Sequence, residues 1–203
     1  MGYRHSIEMN IGDFHYLRGF YTFEGYSQQI SEQVNDLVKL TQNSVQVMEI
    51  GFNAGHSADV FLKNNSSMAL TSFDLGIHDY VLHAKEYIDT TYPNRHTLLL
   101  GDSTVTVPKY ISENPDKRFD VIFIDGGHEY EVATADLNNC MKMAHKDTIV
   151  ILDDTIFNKE LEQDYSKGPT QAWLDFVSDG KITEIQRAYY HSGRGMAWGK
   201  YVV

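Results

Sequence analysis

The sequence predicts an α/β fold, a Rossmann-like three-layer sandwich in which a mostly parallel sheet carries helices on both faces. Three observations lead there. Short apolar runs at 45–50, 68–74, 96–100, 119–124 and 148–152 alternate with stretches of helical period, the pattern of a parallel sheet buried on both sides. Asp74, Asp125 and Asp153 close three of these runs, which sets them on the carboxyl-terminal edge where such sheets hold ligands. Two further β-prone runs, 182–189 and 195–202, are joined by His191-Ser192-Gly193-Arg194-Gly195, a short connection that reverses the last strand. Seven strands follow, the last antiparallel.

The elements read in order as follows. Residues 1–27 hold Phe14, Tyr16, Phe20, Tyr21, Phe23 and Tyr26 without a regular period. So many aromatics need a surface to bury against, either the chain's own cleft or a second subunit. The segment is therefore expected to be a cleft cover or dimer contact, a homodimer is expected, and 28–203 forms a single domain. Ile30, Val34, Leu37 and Val38 give 28–42 a helical face, as spacing of three and four residues requires. A strand at 45–50 enters a glycine-containing loop, and a helix begins near Ser57. Val81, Ala84, Tyr87 and Ile88 mark a helix over 79–90. Residues 104–113 form a short helix or a loop, since Pro108 interrupts the pattern. Val132, Leu137, Cys140 and Met141 place a helix over 130–143, and Trp173 seats another, over 170–178, on the sheet.

Composition narrows the function classes. Asp plus Glu is 28 against 17 for Lys plus Arg in 203 residues, a formal charge of -11. No basic block is present, and binding a phosphate backbone requires one, so nucleic acid is excluded as the expected partner. No apolar run approaches the roughly 18 residues of a membrane span, and a cytoplasmic protein is expected. Cys140, the single cysteine, has no internal disulfide partner. No histidine spacing suits zinc together with it, and no nucleophile elbow of hydrolase type occurs.

The chemistry-bearing residues lie at the strand ends. Glu49-Ile50-Gly51-Phe52-Asn53-Ala54-Gly55-His56-Ser57 follows a strand and opens a helix. Gly51 permits a tight turn and Gly55 a close backbone approach; Ser57 and the helix N-terminus suit a carboxylate or phosphate. Asn53 stands where a dinucleotide fingerprint needs glycine, and no Walker lysine follows. The loop is either a small-molecule cofactor site or a plain turn. Asp74 suits two ribose hydroxyls, or is an exposed loop acid. Asp125, Asp153 and Asp154 meet if their strands are neighbours. Clustered like charges need compensation, which a hard cation such as Mg²⁺ supplies; otherwise Asp153 caps a turn and Asp154 faces water.

Together the 51–57 loop, Asp74, the Gly101-Asp102-Ser103 turn and the run Phe119 to His128 resemble class I S-adenosylmethionine-dependent methyltransferases. The likeness is to the catechol O-methyltransferase-like and macrolide or aminocoumarin sugar O-methyltransferase branch, and it covers most of 28–203. It implies the strand order 3-2-1-4-5-7-6. It implies a cofactor held by Glu49, Gly51, Asn53, Gly55, Ser57, Asp74, Asp102, Ser103, Asp125 and His128. Ser57 would meet the methionine carboxylate, and Asp102 and Ser103 the adenine. Asp125, Asp153 and Asp154 would ligate Mg²⁺ or another divalent cation.

His56 replaces an aromatic often found in the branch, and two positions after the fourth strand also depart from it. Gly127 stands where the sugar-modifying enzymes carry a basic Asp, and His128 where the catechol enzymes carry a Lys. Imidazole titrates near neutrality, so His128 is the candidate catalytic base and Asp125 the second catalytic residue; alternatively His128 hydrogen-bonds the cofactor or orients Asp125. Asp136 reads as structural, and Tyr130 as packing. The expected reaction is metal-assisted methylation of a small hydroxyl-bearing molecule with two adjacent oxygens. Arg18, Tyr21, Phe23, Tyr26 and Arg194 are placed on the acceptor side. A metal-independent methyltransferase, a nicotinamide-dependent oxidoreductase and a non-catalytic binding protein of the same fold are the other readings.

Overall fold

The computed structural model describes residues 9–25 and 27–203; Tyr26, expected near the acceptor, lies outside the described residues. The chain forms a seven-stranded sheet from β1 (Gln46–Ile50), β2 (Ala69–Asp74), β3 (His96–Leu100), β4 (Phe119–Ile124), β5 (Ala144–Leu152), β6 (Ile182–Tyr190) and β7 (Arg194–Tyr201). Its order is β3-β2-β1-β4-β5-β7-β6. The first five strands pair in parallel, and β7 is antiparallel to both β5 and β6. The expected architecture and strand order are thus observed.

Alternation along the strands divides the apolar residues between two cores. Val47, Val121, Phe123 and Ile151 face one side, where they meet α2 (Ser31–Thr41), α3 (His56–Asn64) and α4 (Tyr80–Thr91). Met48, Ile122, Ile124, Val150 and Leu152 face the other, against α5 (Ser103–Glu113), α6 (Tyr130–Met141) and α7 (Lys167–Ser178). Successive strand residues point to opposite faces, so strands sandwiched by helices must be apolar throughout. Trp173 is fully buried on α7 and donates from Nε1 to Glu184 Oε2 at 2.6 Å. Cys140 is a buried free thiol.

Two elements, the first helix and β5, differ from the sequence reading, and a third, α5, resolves a choice it left open. Residues Ile11–Tyr16 form a helix, α1, capped by the Asn10 side chain accepting from the Asp13 amide. Its buried residues, Ile11 and His15, lie one turn apart, but six residues are too few for periodicity to reveal. α5 continues through Pro108, because Asp102 caps its start and fully buried Val107 anchors it to the core. Packing here outweighs the lost backbone bond. β5 begins at Ala144, and the β4–β5 register breaks between the Phe119–Ala144 and Val121–Ile149 pairs. Thr148 bridges the break, donating to the Phe119 carbonyl at 2.6 Å. No helix of the described residues is long and apolar enough to cross a membrane.

Candidate functional site

A cavity of about 730 Å³ opens on the carboxyl-terminal edge of the sheet. Adjacent strands are roughly 4.8 Å apart, so the edge from β3 to β5 extends about 19 Å. Along it the wall is built in order by Asp102 and Ser103 after β3, Asp74 after β2, Gly51 and Asn53 after β1, Asp125 to His128 after β4, and Asp154 after β5. Glu24, His78, Tyr165 and Arg194 also line it.

The glycine loop is held from below and above. Gly51 has φ +94°, and a Cβ there would lie 1.8 Å from the Asp125 carbonyl oxygen, so the β1 and β4 loops meet backbone to backbone. Asn53 adopts φ +48°, a conformation that costs a non-glycine residue energy and often marks functional loops. Its amide donates to Asp74 Oδ2 at 2.7 Å. Its Nδ2 donates to the Glu24 and Gly25 carbonyls, each at 3.1 Å. His15 Nε2 reaches the Ala54 carbonyl at 2.9 Å. The segment before α2 is therefore hydrogen-bonded to the glycine loop.

Glu49 lies beneath this loop, fully buried and away from the cavity wall. It accepts from the Ser57 and Ser72 hydroxyls, and burial pushes its carboxyl up to about 7. Ser57 and His56, at the start of α3, line a second, small cavity of about 20 Å³ with Gly51, Asn53 and Asp125. Asp74 accepts from the Asn53 and Gly76 amides, both at 2.7 Å. A carboxylate has about four acceptor positions, so two remain. Asp102 accepts from the Thr104 amide and hydroxyl at 2.8 and 2.7 Å, closing the α5 N-terminus.

The structure brings Asp125, Asp153 and Asp154 together. Asp125 is held well above the ordinary carboxylate range by desolvation, reinforced by the other two. Asp153 is 2% exposed. Both its oxygens accept from Gln33 Nε2, at 2.9 and 2.8 Å, and one also accepts from the Asp154 amide. Burial, then Asp154, raises its carboxyl to about 7. Asp154 has φ +54°; its Oδ2 lies 2.9 Å from His128 Nε2, and its Oδ1 lies 3.7 Å from the Arg194 guanidinium. The Asp154 bond raises His128 above the usual imidazole value. A carboxylate at Nε2 favours the tautomer with its proton there, leaving Nδ1 to accept.

These residues do not fit the divalent cation expected at Asp125, Asp153 and Asp154. Mg²⁺ and Ca²⁺ are held by oxygens free to coordinate. Here Gln33 covers both Asp153 oxygens and His128 holds Asp154 Oδ2, while Asp154 Oδ1, which accepts no hydrogen bond, faces the Arg194 guanidinium at 3.7 Å. Among the described residues no group of three His, Cys, Asp or Glu is arranged to hold a metal ion.

Of the residues placed on the acceptor side, Arg194 lines the cavity, whereas Arg18, Tyr21 and Phe23 do not. Arg18 pairs with Glu86 at 3.0 Å and lies over the Phe14 ring. Tyr130 donates to Asp175 Oδ2 at 2.7 Å. Asp136 is fully buried behind Gly126, and burial raises its carboxyl to about 6. Gln33, His15 and Glu24 were not singled out from the sequence. Their partners lie 120, 39 and 29 residues away, and no motif links them.

Residues 48–155 match the model of a family described as a methyltransferase domain. No curated protein matches the chain. Among solved structures, an O-methyltransferase from Bacillus cereus in complex with SAH is 15% identical, with TM-score 0.72, covering 94% of this chain and 88% of that one. The O-methyltransferase TomG from Streptomyces achromogenes, involved in tomaymycin synthesis and solved with SAM, is 13% identical, with TM-score 0.70 and coverage of 94% and 87%. A TDP-rhamnose 3'-O-methyltransferase of calicheamicin biosynthesis is 20% identical, with TM-score 0.64 and coverage of 85% and 81%. At these identities the likeness is one of fold.

Proposed function

Because the chain belongs to the methyltransferase-domain family matched over residues 48–155, we propose that it moves a methyl group from S-adenosylmethionine to a hydroxyl oxygen of a small molecule, without a metal. One observation carries the reading: a single cavity joins Asp102 and Asp74 at one end to the His128–Asp154 pair at the other. The oxygen acceptor is supported by the O-methyltransferases of like fold.

The residues fit this cofactor. Two unused acceptor positions on Asp74 suit the ribose hydroxyls. Asp102 and Ser103 stand one strand further out, at the adenine end. The backbone amides at the start of α3 suit the methionine carboxylate, since a helix N-terminus favours an anion, while the Ser57 hydroxyl is already given to Glu49. The wall carries the acids Glu24, Asp74, Asp102, Glu129 and Asp154, which favours a ligand bearing a sulfonium and an ammonium. It disfavours a phosphorylated acceptor. When bound, S-adenosylmethionine supplies an electrophilic methyl on positively charged sulfur.

The protein's own work is positioning and proton removal. His128 Nδ1 takes the acceptor's proton. Asp154 holds the ring through Nε2 and stabilises the imidazolium that results. The 9–25 segment covers the cavity through Glu24 and Gly25, and its exposed Tyr16, Leu17 and Tyr21 suit a homodimer contact, which sedimentation velocity checks.

Calorimetric titration with S-adenosylmethionine and S-adenosylhomocysteine tests the reading. Binding in the micromolar range is expected, at least about tenfold weaker in Asp74→Asn, where charge-assisted hydrogen bonds are lost. Radiolabelled methyl transfer to a panel of phenols and alcohols should fall by about 10²–10⁴ in His128→Asn with cofactor affinity kept. Absence of binding to either cofactor form refutes the proposal.

A further inference from the structure

The terminal hairpin meets the acidic corner at its first residue, Arg194. Three carboxylates meet at the ends of β4 and β5, where desolvation strengthens their repulsion. Charge of the opposite sign arrives with Arg194, the first residue of β7. Because β7 inserts beside β5 and runs antiparallel to it, its start stands at the carboxyl-terminal end of β5. The Thr155 amide donates to the Gly195 carbonyl at 2.9 Å and fixes that junction. The guanidinium lies 3.7 Å from Asp154 Oδ1, and the side chain is only 19% exposed. Nη2 lies 3.4 Å from Gln29 Oε1. It would be 2.8 Å from a Cβ on Gly25, so the covering segment leaves room for it. Arg194 is the one Lys or Arg on the cavity wall among the described residues.

We propose that Arg194 is the resident cation of this site, compensating Asp125, Asp153 and Asp154 in place of a divalent ion and donating to the acceptor oxygen during transfer. This rests on the methyl-transfer reading above. The acceptor O–H proton passes to His128 Nδ1. The oxygen pair forms the new O–C bond, and the C–S pair returns to sulfur, giving a methyl ether, neutral thioether and imidazolium. A guanidinium keeps its charge at any working pH and presents several N–H donors in a rigid plane, so donors remain for an oxygen on the cavity side. It does not gather two oxygens into one coordination shell as a metal does. The substrate therefore needs one hydroxyl, not the vicinal pair expected from the sequence.

The test uses Mn²⁺ as the probe, followed by electron paramagnetic resonance after chelator treatment. Wild-type protein is expected to bind no Mn²⁺ up to millimolar concentration. Arg194→Ala is expected to gain Mn²⁺ binding at least tenfold stronger than wild type, Arg194→Lys is not, and Arg194→Ala with Asp154→Asn loses it again. S-adenosylhomocysteine affinity within about threefold of wild type shows that Arg194→Ala is folded; Arg194→Met, which keeps the apolar stem, carries the same test if it is not. Micromolar Mn²⁺ binding by the wild type that Asp154→Asn abolishes overturns the proposal. So does a folded Arg194→Ala that gains none. A wild type unable to bind S-adenosylhomocysteine removes the methyl-transfer reading and the acceptor contact with it, while the Mn²⁺ arms still decide whether Arg194 holds the corner's charge.

Discussion

His128 is nearly half exposed, yet its ring is held by one buried carboxylate. That bond raises the imidazole above its ordinary 6.5, and a base must be neutral to act. Methyl transfer is expected to rise with pH through the raised value. Asp154→Asn should lower turnover and move the midpoint back toward 6.5, as a pH–rate profile shows. The stability that the pair contributes has the opposite slope: it is present in full below 6.5 and is lost as pH climbs through the raised value. A second residue-scale prediction concerns Gly51. Alanine there combines a left-handed backbone with a clash against Asp125, so Gly51→Ala should cost at least about 2 kcal/mol in urea unfolding and weaken cofactor binding.

At the scale of elements, α1 is a short helix with one long-range task. Its His15 is fully buried among Phe23, Tyr80 and His56 rings and meets the Ala54 carbonyl. Asn53 ties the same loop to residues 24 and 25. His15→Ala should therefore destabilise by about 2 kcal/mol, and it should speed hydrogen exchange at 51–55 more than at β4. If both regions change alike, α1 serves general packing and not the loop. α5 teaches a related lesson. Pro108 left helix or loop open locally, and Asp102 at its cap and Val107 in the core outweigh one missing backbone bond.

Over the whole molecule, burial sets two opposing pH dependences. His56 and His96 are lowered to about 4 and about 3, chiefly by desolvation. Groups held neutral in this way give stability that is full above 6.5 and is lost as pH falls toward those values. Buried Glu49 works the other way: raised from 4.5 to about 7, it costs stability progressively as pH rises between them. Melting temperatures from pH 3 to 8 separate the two. His96→Phe should flatten the acid-side loss, and Glu49→Gln should gain on wild type from about pH 4.5 to about 7. Parallel curves for all three proteins would contradict this assignment.

Features that repeat locally or end an element could be read from the residues alone. Apolar runs of strand length, the helical faces between them, the acids at the strand ends and the glycine turn at Gly51 were all legible, because backbone period and turn chemistry act over a few residues. The resemblance to a methyltransferase branch supplied the strand order. The groups that face the buried carboxylates were set by the tertiary fold. Gln33 meets Asp153 across 120 residues, and Arg194 reaches Asp154 only because β7 inserts beside β5. The three carboxylates could be placed together from strand ends, but the donors facing them could not. The sign and source of a compensating charge depend on packing between distant elements, which no local pattern encodes.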